Sequence, residues 1–228
     1  MNWEQFKRAI KKGDSLAIGE IVKSPSFWDM EPSCVIKAAV MLRKIGLYDS
    51  ALRIVDEVKA RKIPLSERKQ RVAQYLRADL LLDLEMYHEA ISAYDDILSQ
   101  TQDGVAYGNR GLAHWECGKF EAALNDYEKA IELDPKNAIL LRGAGEMCIK
   151  LKRPKEATGY LLRAIKLNRN YSAFTALGIA RRDSGDWVKA YRCFKAALAI
   201  NPGDPVAAFG VKKIEEYYDE KDPESDPN

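Results

Sequence analysis

Histidine and cysteine are scarce in this chain: two and four, respectively, among 228 residues. Cys34, Cys117, Cys148 and Cys193 lie far apart with no CxxC pair, which gives neither a disulfide framework nor a zinc ribbon. Long apolar runs are missing too, and none approaches the roughly 18–20 residues needed to span a bilayer. The opening MNWEQFKRAIKK lacks the apolar stretch and small-residue cleavage site of a signal peptide, so the cytoplasm is the expected compartment. A net charge of +2 is too close to neutral to point to nucleic acid on bulk charge. HExxH, Gly-rich phosphate-loop, GxSxG and EF-hand patterns are absent, so the expectation is a non-enzyme with no metal and no cofactor. The chain does have the makings of a core, with 46% hydrophobic and 31% charged residues.

It also has an internal repeat. GNRGLAHWECGKFEAALNDYEKAIELDPKN (108–137) aligns with LGIARRDSGDWVKAYRCFKAALAINPGD (177–204). Shared positions include a mid-helix glycine (Gly111, Gly178), a Gly-x-aromatic turn at 118–120 and 185–187, and an alanine (Ala123, Ala190). An aromatic follows four residues later (Tyr127, Phe194), then another alanine (Ala130, Ala197), then a closing proline (Pro135, Pro202). The same frame fits 138–170 through Gly145, Ala157, Leu161 and Ala164. It also fits 71–103 through Ala78, Tyr87, Ala90 and Tyr94, and 32–70 through Ala39, Gly46, Tyr48 and Ala51. The central alanines Ala51, Ala90, Ala123, Ala157 and Ala190 are spaced by 39, 33, 34 and 33 residues. Each unit carries two apolar patterns of helical period separated by a short turn. Small residues fall where paired helices approach closely, and a bulky side chain there would overpack by roughly 1–3 kcal/mol.

This spacing and residue set resemble the tetratricopeptide repeat (TPR) family across 32–204. Gln102 and Arg169 stand where the closing proline usually falls, and Ile97 replaces a small residue. The resemblance implies an all-α, right-handed α-solenoid of helix-turn-helix repeats at 32–70, 71–103, 104–137, 138–170 and 171–204, with about 13 helices in all. Residues 1–31 read as a helix pair, either a degenerate repeat or a cap, with Trp3, Phe6 and Ile10 on one face and Asp14 as an N-cap. Asp204-Pro205 starts a capping helix over 205–218, and the acidic, proline-bearing stretch 219–228 is expected to be disordered.

Repeat one is longer than the others, near KARKIPLSERKQR (59–71), where six residues are basic and one is acidic. Pro64 should interrupt the helix and Ser66 could cap one that starts a turn early. With KLKRPK at 150–155, this segment supports an alternative reading as an RNA-binding helical repeat protein.

HWECG (114–118) places His114 and Cys117 on one helical face. A structural zinc needs four ligands and no second Cys/His pair stands at suitable spacing, so His114 reads as a packing residue facing the second helix of its own repeat. His88-Glu89 reads as a solvated pair. In tetratricopeptide proteins the first helices line a concave surface, and the resemblance carries that role onto Tyr75, Asp79 and Asp83, then Asn109, Leu112, Trp115 and Glu116. It extends to Arg142, Glu146, Ile149 and Lys150, and to Thr175, Ile179 and Arg182. Aromatic anchors among both charge signs are the makeup of a peptide groove. Asp79 and Asp83 should prefer a basic part of a ligand, and Arg142 and Arg182 an acidic part. The carboxylate-clamp co-chaperones are disfavoured: Tyr75, Asp79, Asn109, Ile139 and Gly143 occupy the clamp positions, and only Asn109 matches. The function expected is a protein–protein adaptor that takes a peptide or helical segment of a partner protein, with a dedicated secretion- or assembly-type chaperone for one client as the alternative.

Overall fold

The computed structural model describes residues 3–221. Among them are fourteen α-helices and no strand, in two compact units: Met1–Gln102 and Asp103–Asn228. The first unit holds α1 (Trp3–Lys12), α2 (Ser15–Lys23), α3 (Pro25–Trp28), α4 (Pro32–Lys44), α5 (Tyr48–Ala60), α6 (Glu67–Asp83) and α7 (Tyr87–Leu98). The second holds α8 (Gly104–Glu116), α9 (Phe120–Leu133), α10 (Ala138–Lys150), α11 (Pro154–Leu167), α12 (Tyr171–Asp183), α13 (Trp187–Ile200) and α14 (Pro205–Lys221).

The fourteenth helix, beyond the thirteen expected, is α3. Four residues are too short for a helical period to register in the sequence. Pro25 sets its first turn and Phe27 is fully buried. Trp28 is pinned by donating its indole N–H to the Val22 carbonyl at 3.0 Å. Phe6, between Trp3 and Phe27 at ring separations of 5.6 and 5.7 Å, ties α1 to α3. At the other terminus, α14 runs through 219–221, where disorder was expected; residues 222–228 of that stretch lie outside those described.

Helix starts follow cap chemistry. Asp14 accepts from the Ala17 N–H, Asp103 from Val105 and Ala106, Asn137 from Ile139 and Leu140, and Asp204 from Val206 and Ala207. Ser66 precedes α6 as expected, but its side chain makes no cap bond. The turns within the helix pairs share one geometry. At Gly118 (φ 71°) the N–H of Lys119 reaches the His114 carbonyl and that of Gly118 reaches Trp115, two bonds that close the last turn of α8. Glu85 (φ 60°) and Lys152 (φ 59°) hold the same left-handed position after α6 and α10 without being glycine.

Inside each pair, small meets large. A Cβ on Gly178 would lie 2.5 Å from the Phe194 ring, so α12 and α13 can close only over a bare glycine. Ala123, Ala157 and Ala190 on the second helices are wholly buried. The first unit has its own core around Phe6, Leu42, Ile54 and Leu80, and the second has clusters around Leu141–Met147–Leu161 and around Phe194–Ile214. Among the described residues, no helix is long and apolar enough to cross a membrane.

Candidate functional site

In the second unit, Asn109, Leu112 and Trp115 project from one side of α8, and Arg142 and Glu146 from α10. All five line one groove of about 490 Å³, closed at its sides by Tyr127 and the end of α9. Its mouth is apolar: Val105 and Ile139 are 65% and 70% exposed. Trp115 is half-buried and packs on the core cluster of its unit as well as facing the groove. Burial pushes the Glu146 carboxyl above its ordinary value, even though the Arg142 guanidinium meets it at 2.5 Å one turn away on the same helix. The Tyr127 hydroxyl is pushed up to about 12 by the same burial, with Glu146 adding to it. The wall is thus a desolvated, internally neutralised arginine–glutamate pair beside an aromatic ring.

Other expected site residues fall elsewhere. Glu116 and Lys150 are exposed and do not line this groove. Thr175 must be corrected: it is buried, and its hydroxyl donates to the Asp204 carboxylate and cannot face a partner. α14 covers the face that the repeat frame marks as surface. Arg182 pairs with Asp183 at 2.9 Å, and Ile179 packs against the Phe194 cluster.

In the first unit, Tyr75 and Asp79 line a separate cavity of about 480 Å³ between α4 and α6. Its electrostatics are opposite to those expected. Arg43 reaches Asp79 at 2.7 Å and Asp83 at 2.6 Å, and Tyr94 donates to Asp79 at 2.6 Å. Burial works to lower the Arg43 pKa, but hydrogen bonding and charge from Asp83 and Asp79 outweigh it and raise the value. The two aspartates are therefore already engaged. Lys44, Arg68 and Arg71, on the same cavity wall, make no ion pair among the described residues, so this surface presents positive charge.

His114 sits on α8 with its Nε2 3.7 Å from the Asp126 carboxylate of α9, which Arg110 holds with two bonds at 2.9 and 2.6 Å. Asp126 is 2% exposed, and this buried cluster joins the two helices of one pair. Among the described residues no three His, Cys, Asp or Glu side chains are grouped to hold a metal. Cys148 is buried, which pushes its thiol up to about 11 and makes it a poor nucleophile at neutral pH.

Val105 and Ile139, which flank the groove mouth, were missed by sequence reasoning. Each stands two residues after a capping side chain (Asp103, Asn137), where the first helical turn is solvated. An apolar residue at that position in two successive helix pairs is a readable signal.

Models of the Tetratricopeptide repeat family match residues 104–137 and 173–206, which hold α8–α9 and most of α12–α13. The chain is a tetratricopeptide-repeat protein. Human RNA polymerase II-associated protein 3 is 31% identical to this TPR protein over 67% of its length and 23% of the relative's. TPR repeat-containing protein MJ1428 of Methanocaldococcus jannaschii is 27% identical over 81% and 31%. The TPR chain thus spans under a third of either relative. The crystal structure of YrrB, described as a TPR protein with an unusual peptide-binding site, matches at a TM-score of 0.67 and 18% identity, covering 92% of this chain and all of that one. Tetratricopeptide-repeat proteins mediate protein–protein interactions, and the TPR fold typically acts as a non-catalytic scaffold.

Proposed function

We propose that this protein is a non-enzymatic adaptor that binds an extended or helical segment of a partner protein in the α8–α10 groove. The observation that carries this reading is the convergence of Asn109, Leu112, Trp115, Arg142 and Glu146 on one cavity with exposed Val105 and Ile139 at its mouth. Apolar anchors around a few fixed polar groups suit a segment that inserts one or two apolar side chains and offers backbone groups to Asn109. The groove stands on helices that are capped and packed, so little ordering cost falls on the protein when the segment docks. The α4–α6 cavity, with Lys44, Arg68 and Arg71, suits an acidic part of a partner rather than a basic one.

Trp115→Ala is a poor first test because Trp115 also packs on the core. Ile139→Glu and Val105→Glu change exposed side chains only. With the partner identified by affinity purification from the native source, each variant should weaken its binding by about 30-fold with helical content unchanged, the loss expected of a hot-spot anchor. Unchanged affinity in both variants would remove the groove from consideration.

A further inference from the structure

The connection between α5 and α6 departs from the four later inter-pair connections. It has six residues, 61–66, against three to five elsewhere, and α6 has 17 residues where α8, α10 and α12 have 13. The extra length is spent on a wall. The Ile63 N–H bonds the Val58 carbonyl at 3.1 Å, and Gln70 donates from its side chain to the Leu65 carbonyl at 3.1 Å. Ile63 and Leu65 turn inward and pack on the core of the first unit. Lys62 takes a left-handed backbone (φ 52°) to make the corner.

Behind this wall lies a cavity of about 590 Å³, in the size range of small-molecule sites. Val55, Val58, Ile63 and Leu65 supply its apolar surface. It opens on the side of α6 that carries Ala73 and Arg77, whereas the α4–α6 cavity uses the side that carries Val72, Leu76 and Asp79. The charges on its rim are unequal. Arg77 is held by Asp56 at 2.7 Å, and Asp96 contributes one carboxylate from α7. Lys59, in the last turn of α5, and Lys62, at the corner of the connection, are exposed and make no ion pair among the described residues. An apolar pocket with two uncommitted ammonium groups at one end is complementary to a molecule with an apolar body and an anionic head.

We propose that the cavity enclosed by α5, residues 61–66 and α6 is a binding site for a small amphipathic anion. Its hydrocarbon body would rest on Val55, Val58, Ile63 and Leu65, with its carboxylate or equivalent head at Lys59 and Lys62. This site is independent of the α8–α10 groove and belongs to the other unit.

The test uses the full chain and 1-anilinonaphthalene-8-sulfonate, followed by its fluorescence, with decanoate and decylammonium as competitors. One saturable site is expected, from which decanoate displaces the dye and decylammonium does not. Lys59→Glu combined with Lys62→Glu, both at exposed positions, should weaken dye binding by about tenfold. Ala73→Trp, which fills the cavity, should abolish it with the circular dichroism spectrum retained. Ile139→Glu, in the other unit, should leave dye binding unchanged. Dye binding unaffected by the double lysine variant, equal competition by decylammonium, or no displacement of the dye by millimolar decanoate would each overturn the assignment.

Discussion

At the scale of single residues, the turns within helix pairs show how much a backbone angle matters. Gly46, Gly118 and Gly185 meet the left-handed position without steric cost, whereas Glu85 and Lys152 adopt it with a Cβ in the way. The left-handed conformation costs a non-glycine residue about 1–2 kcal/mol, and glycine gives back about 0.5–1 kcal/mol in unfolded-state entropy. The steric term is the larger. Glu85→Gly and Lys152→Gly should therefore each stabilise the protein by about 0.5–1 kcal/mol, read as a higher urea midpoint at constant slope. These positions were legible, because the repeat frame sets Glu85 and Lys152 opposite the glycines. Charge pairing was not: Arg43 finds Asp79 and Asp83 from 36 and 40 residues away, and no local pattern announces such a partner.

Helices raise a different question: what does each end meet? The start of α14 was legible from Asp204-Pro205, a capping carboxylate followed by a residue already fixed for the first turn. What α14 covers was not. Amphipathic period tells which face a helix buries, but not against which neighbour, so the frame left Thr175 on the surface although Asp204 reaches over it. Phe194 shows the same limit, since its ring touches both Gly178 of α12 and Gly210 of α14, and only the first contact follows from the repeat. Asp204→Ala removes two cap bonds and the carboxylate acceptor of the buried Thr175 hydroxyl, which keeps only the Tyr171 carbonyl of its own helix at 3.1 Å. It should destabilise by about 2 kcal/mol. Hydrogen exchange should quicken first in the amides of α14, and protection unchanged there would show that the cap is dispensable.

For the molecule as a whole, the sequence reads as one uninterrupted array over 32–204, while the contacts divide the chain at Gln102 and Asp103. A period of 33–34 residues reports each repeat's own two faces. It does not report how much apolar surface successive repeats share. The second unit keeps its own buried clusters and begins at an N-cap, Asp103, with both side-chain bonds made to α8. A fragment covering 103–221 should therefore fold by itself, with native-like helical content and a cooperative thermal transition. A gradual, featureless melt would show that it depends on residues 1–102.

Arg142 faces Glu146, and Arg182 faces Asp183, each within its own helix. Little net field remains along that face to draw a partner in from a distance. Encounter there should proceed at the basal rate of unsteered protein association, about 10⁵–10⁶ M⁻¹s⁻¹, and should change little between low and high ionic strength. Selectivity would then reside in how long the complex lasts rather than in how fast it forms, and stopped-flow association at two salt concentrations reads that directly.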